Sequence, residues 1–221
     1  MNALTNANIA ETIHCKRLTS FAFPEAKSSQ KGVSVEYAPD PNKKWFVFRI
    51  TYNREQLAVD YLIEHGIYAY LAMGWKQVIR DGKKKRVLRP LLNMVFAYIT
   101  PDQANTFVHD TPLCPFITFY YDHFTVALDY HNPPLTIPDI EMQSYVRATI
   151  LQDPHVMAVA PERCNFLSDE EVLVTDGPFA GVRGRAVRVS RQNRVAVSLR
   201  GISTLIVTAY IPTAFLEKVK G

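Results

Sequence analysis

The stretch from Glu171 to Leu199, EVLVTDGPFAGVRGRAVRVSRQNRVAVSL, leaves the least freedom in what this chain can fold into. Val172 and Val174 alternate with polar neighbours and run into Asp176-Gly177-Pro178, a turn-forming sequence. Gly177, Gly181 and Gly184 mark places where the backbone takes a positive φ or passes close to another strand. Ala186, Val187 and Val189, set among Arg185, Arg188 and Arg191, predict a second strand. Arg191-Gln192-Asn193 predicts the turn into a third strand, where Val195, Val197 and Leu199 keep a strict period of two.

Upstream, the pattern changes. Residues 1–44 are polar and rich in small residues, with Ser28-Ser29-Gln30-Lys31-Gly32 and Pro39-Asp40-Pro41 as breakers, and predict an irregular arm. Trp45 to Ile50 is a near-continuous apolar strand of the kind covered on both faces. Asn53 then offers a helix cap answered by Gln56, Leu57 to Leu62 follow at helical spacing, and Gly66 stops the helix before a strand over 67–71. Trp75 to Arg89 predicts a hairpin turning at Asp81-Gly82. Thr100-Pro101-Asp102-Gln103 opens a second helix with a capping box. Phe116 to Tyr121 predicts a strand, and Asp122 to Pro134 a hairpin or long loop. Met142, Tyr145, Val146, Thr149 and Ile150 form one apolar stripe of a third helix, ended by Asp153-Pro154.

At 221 residues the chain has room for one large domain or two small ones. The net charge is only +4, so the placement of charge matters more than its total. Cys15, Cys114 and Cys164 lie far apart without a C-x-x-C pair, which predicts neither a disulfide framework nor a zinc site and fits a reducing cytoplasm. His14-Cys15 alone is no metal motif. No signal peptide is expected, and no apolar run approaches the ~20 residues of a membrane helix. Asp122-His123 pairs an acid with an imidazole, yet adjacent strand residues point to opposite faces, so the two make no dyad. With no nucleophile elbow, phosphate loop or H-E-x-x-H, neither an enzyme nor a cofactor or metal site is expected.

The glycine-punctuated basic hairpin at 171–199 resembles the KOW motif of SH3-like barrels in transcription and translation factors. Thr208-Ala209-Tyr210-Ile211-Pro212 and Phe215-Leu216 are similar to the closing strand and turn of the NusG C-terminal domain. W-F-V-F-R-I-T-Y-N-R-E from Trp45, H-G-I-Y-A-Y-L from His65, Leu92 to Tyr98, and Pro134 to Met142 resemble the NusG N-terminal domain. Housekeeping members carry Phe-Pro-Gly-Tyr where this chain has Leu91-Leu92-Asn93-Met94. The asparagine form, with Tyr52-Asn53-Arg54-Glu55, is closer to specialised paralogues of the UpxY type, antiterminators of surface-polysaccharide operons in Bacteroides-like bacteria. The resemblance spans most of 45–219 and leaves residues 1–44 without a counterpart.

It implies an α+β chain: the arm, an N-terminal α/β sandwich over 45–152, a linker at 153–168 and an SH3-like β-barrel over 169–221. It implies a cytoplasmic transcription elongation or antitermination factor, with a ribosome-associated KOW RNA-binding protein as the alternative. The N-terminal domain would dock on the clamp helices of the largest RNA polymerase subunit through Tyr52, Tyr70, Leu92, Met94 and Phe96, of which Leu92 and Phe96 read equally as core. Asn53 and Arg54 would touch the non-template DNA strand. Lys76, Arg80, Lys83, Lys84, Lys85 and Arg86 would lie beside nucleic acid; the alternative is a solvated charged hairpin. Phe179, Leu205 and Ile206 would present an apolar surface to the ribosome, the Rho terminator or a regulatory protein, with Arg183 and Arg185 as either partner contacts or a solvated barrel face.

Overall fold

The computed structural model describes residues 38–80, 82–125 and 132–219, so the arm, His14-Cys15, Asp81 and the tip of the 122–134 loop lie largely or wholly outside it. β1 (Lys44–Ile50) buries Trp45, Phe46, Val47, Phe48 and Ile50, leaving Arg49 exposed. A strand so apolar needs cover on both faces and pairing on both edges. It receives both. α1 (Glu55–Glu64) and β2 (Tyr68–Tyr70) follow it. β3 (Met73–Arg80) and β4 (Lys83–Pro90) form a separate two-stranded ribbon, and β5 (Met94–Ile99) returns to the sheet. After α2 (Pro101–His109) come β6 (Ile117–Phe119) and β7 (Thr136–Ile137), both on β1. The order is β2-β5-β1-β6, with β5 antiparallel to both β1 and β2. The βαβ opening is therefore split by β5.

Period-two alternation assigns the two faces of this sheet. Phe46, Phe48, Ile50, Val95, Ala97 and Ile99 meet α1 and α2. Trp45, Val47, Phe96 and Tyr98 face the other way, toward α3 (Asp139–Thr149). The cap of α2 forms as expected: Thr100 Oγ1 accepts from Gln103 N, and the Gln103 side chain accepts from Thr100 N. α1 ends as expected at Gly66, φ +71°, with Ile67 N donating to Leu62 O and Gly66 N to Ile63 O. Its start differs. Arg54 is the cap residue and no side chain caps it, because Asn53 sits at φ +55°, outside capping geometry.

β8 (Met157–Val159), β9 (Asn165–Val174), β10 (Arg183–Val189), β11 (Gln192–Leu199), β12 (Ile202–Val207) and β13 (Leu216–Lys218) build a second antiparallel sheet, ordered β13-β9-β10-β11-β12-β8. Among the described residues its end strands do not pair, so the sheet is open where a closed barrel was expected. β8 and the start of β9 lie in the stretch expected to be linker. The β10–β11 turn is Ser190-Arg191, both at positive φ, one residue earlier than predicted. Thr208 to Ile211 bond to β11 without forming a strand; β13, further on, pairs with β9. Gly177 and Gly181 take positive φ, whereas Gly184 answers to space, since a Cβ there would sit 2.3 Å from Ala196 O.

The third helix carries more than the predicted stripe. Tyr145 packs on Phe96 at 5.1 Å, and Thr149 Oγ1 bonds Tyr70 Oη at 2.7 Å, toward the first sheet. On another flank Ser144 Oγ accepts from Arg183 N, Arg147 donates to Gly181 O, and Glu141 accepts from Arg200 N. The two sheets thus share this helix and one continuous core. A buried arginine adds a tie: Arg194 Nη1 donates to His155 O and Thr208 O, fastening the α3–β8 connection to the second sheet.

Two substitutions probe this packing. Gly184→Ala should cost about 1–3 kcal/mol in urea unfolding, since the backbone oxygen facing it cannot yield. Tyr145 is buried, its hydroxyl has no hydrogen-bond partner among the described residues, and desolvation raises its pKa well above 10. Unfolded tyrosines ionise near pH 10, so the stability tied to this burial is whole below pH 10 and lost as pH climbs toward the folded value. Tyr145→Phe should hold or raise stability at pH 7 by up to about 1 kcal/mol and blunt the alkaline loss above pH 10. Circular-dichroism melts across pH 7–11.5 check it.

Candidate nucleic-acid interface

The ribbon is built by register. β3 and β4 pair from Met73↔Pro90 to Arg80↔Lys83, and Gly82 beside the turn has φ +69°. Lys76, Arg80, Lys83, Lys84, Lys85, Arg86 and Arg89 are all exposed, and none forms an ion pair with a described residue. Trp75 Nε1 donates to Gln152 O at 3.0 Å, fixing the ribbon's base to the end of α3. Gly74 passes so near Leu91 that a Cβ would overlap its side chain. The base is held while the outer half projects. Ile79, near the turn, is 73% exposed.

The β1–α1 connection forms a second feature. Tyr52 and Asn53 adopt consecutive left-handed conformations, φ +60° and +55°. For tyrosine that is a costly backbone state, of order 1–2 kcal/mol. Thr51 N and Oγ1 both donate to Phe116 O, which pins the loop. The Arg54 guanidinium lies 3.5 Å from the centre of the Phe116 ring, and Tyr52 meets the same ring edge-on at 6.0 Å. Tyr52 is nevertheless 77% exposed. Phe116 is a site residue that no local pattern announces, because it joins the cluster from more than sixty positions away. Tyr52 thus combines an unfavourable backbone state with a solvent-exposed aromatic ring.

The remaining sequence-derived candidates divide sharply. Tyr70 and Phe96 are buried beneath Tyr145 and are core, not docking surface. Leu92 and Met94 are half-buried at the rim of the same core, flanking exposed Asn93. In the second sheet Phe179, Leu205 and Ile206 are buried and present no apolar partner surface. Tyr70, Phe96, Leu205 and Ile206 lie on covered strands, which bury the very residues that look like anchors, and Phe179 folds back from the β9–β10 turn into the same core. Arg183 is half-buried, its main chain bonded to Ser144. Arg185 lies 3.8 Å over the Phe166 ring and 3.6 Å from Asp169, a partnered position rather than a free one.

Among the described residues no group of three or more His, Cys, Asp and Glu is placed to hold a metal, and no helix is long and apolar enough to cross a membrane. Asp122 spends its carboxylate on Phe124 N and Thr125 N, which lowers its pKa below the usual carboxylate value.

Tyr52→Gly should leave unfolding free energy within about 0.5 kcal/mol of the parent, relief of the left-handed strain offsetting glycine's entropy. A loss of several kcal/mol in urea titration would mean the ring is structural. No family model matches the chain, and no curated protein matches it in sequence.

Proposed function

We propose that this chain is a non-enzymatic transcription elongation or antitermination factor that binds RNA polymerase, as the resemblance to NusG-type factors implies. The observation that carries the reading is the projecting ribbon of seven exposed cations, beside a split βαβ sheet and an open antiparallel sheet. A protein acting on an elongation complex must hold a protein surface and a polyanion at once. The half-buried rim at Leu92 and Met94, with exposed Tyr52, serves polymerase docking; Tyr70 and Phe96 only support it. Asn53 and Arg54 lie on the strained loop, where the non-template strand is the ligand.

Docking of this kind acts by differential binding: it favours the closed, processive polymerase over the paused one, and no bond is made or broken. The specialised, operon-restricted role rests on Leu91-Leu92-Asn93-Met94 and Tyr52-Asn53-Arg54-Glu55 alone.

The test is capture of core RNA polymerase, without nucleic acid, by the purified full chain. Leu92→Ala with Met94→Ala should weaken capture about tenfold or more while the far-UV circular dichroism spectrum stays the same. Recovery of ribosomes instead of polymerase favours the ribosome-associated reading. Loss of the folded spectrum would return both residues to the core and remove the docking assignment.

A further inference from the structure

The register of the ribbon sorts its side chains, because residues directly opposite in an antiparallel pair share a face. One face holds Trp75/Leu88, Gln77/Arg86 and Ile79/Lys84; the other holds Gly74/Arg89, Lys76/Val87, Val78/Lys85 and Arg80/Lys83. Five of the seven cations, Lys76, Arg80, Lys83, Lys85 and Arg89, therefore stand on one face, with no acid among the described residues of either strand. Trp75, on the opposite face, bonds to Gln152, so that face is turned at its base toward the body of the protein. The five-cation face meets the body only at its base, where Gly74 abuts Leu91, and beyond that point its cations are all exposed.

From this arrangement we infer that the ribbon grips double-stranded DNA through its five-cation face. The inference rests on the nucleic-acid side of the proposed function and adds the form of the ligand and the face that holds it. Three features select the duplex. The five-cation face has no aromatic side chain, so it offers none of the aromatic stacking on which single-strand binding depends. Its cations sit on both strands of the ribbon, and a two-stranded ribbon fits the major groove of B-DNA with its two edges toward the two phosphate backbones. The deep, narrow major groove of an RNA duplex does not admit it. Val78 and Val87 lie diagonally across the centre of the face, paired with Lys85 and Lys76, whose aliphatic stems suit an apolar neighbour while the ammonium groups stay exposed. No asparagine, glutamine or acid stands on this face to read an adenine or cytosine edge, so its arginines and lysines carry the contact, chiefly through phosphate charge.

Full-length protein titrated into a fluorescent 20-base-pair DNA duplex tests this, with a single strand and an RNA duplex of the same sequence alongside. Five phosphate contacts predict a log–log salt slope of about −4.5, an affinity loss of about 500-fold between 50 and 200 mM salt. Lys76→Gln with Lys85→Gln should reduce the slope by about two; Lys84→Gln with Arg86→Gln removes the same charge from the other face and should change it by less than about one. Equal effects from the two pairs, or tighter binding of the single strand or of the RNA duplex, overturn the inference. The polymerase capture above contains no DNA, so the two readings fail separately: duplex binding lost with capture intact sinks only this one.

Discussion

One helix of eleven residues is what the rest of the structure depends on. α3 places Tyr145 and Thr149 under the first sheet, and Glu141, Ser144 and Arg147 against the second. The second contact is made by small and polar groups, and that is why it is close: a serine hydroxyl reaches the main chain of Arg183, which a larger apolar residue would hold away. Gly181 follows the same logic, with space for a Cβ only 3.2 Å from the Arg147 side chain. Neither sheet has an independent core on this side. The apolar cluster runs without interruption from Trp45 through Tyr145 to Ile206, and the turn after β11 adds a direct contact where Gly201 closes on Leu135, so the sheets stabilise each other largely through the helix.

The elements were readable where local chemistry decides them. The Thr100-Pro101-Gln103 cap, the Gly66 stop and the Arg80–Lys83 closure of the ribbon each depend on residues within one turn of one another, and each formed as the sequence predicted. What depended on partners distant in sequence was not readable. Nothing around Ser144 or Ala148 signals burial, because neither is apolar enough to register as a stripe; only the second sheet buries them. The Asn53 cap failed for the same reason. The hydrogen bonds from Thr51 to Phe116 carry the chain through two left-handed residues, and a cap needs extended backbone there.

The candidate site divides along a similar line. Charge survives translation from sequence to surface, because an unpaired lysine has nowhere to go but water; every cation predicted to lie beside nucleic acid on the ribbon is exposed. Large apolar residues do not survive it. Tyr70, Phe96, Phe179, Leu205 and Ile206 have the composition of interface anchors, and burial takes them first, four of them from strands and Phe179 from a turn. Apolar contact surface is left at positions whose backbone forces them outward, such as Tyr52 at φ +60°.

That last point bears on how projecting segments achieve precision in contact. The ribbon and the β1–α1 loop both project, and projecting segments lose entropy on binding unless they are already held. Each is held at its base by bonds to a distant element: Trp75 to Gln152, and Thr51 with Arg54 to Phe116. Gln152 itself sits at φ +51°, a left-handed turn that brings its carbonyl to the indole. The unfavourable backbone states of Tyr52, Asn53 and Gln152 thus fall at the anchors of the two projecting features. Packing elsewhere over-determines those conformations, and what the fold gains is a charged ribbon and an aromatic ring already ordered before any partner arrives.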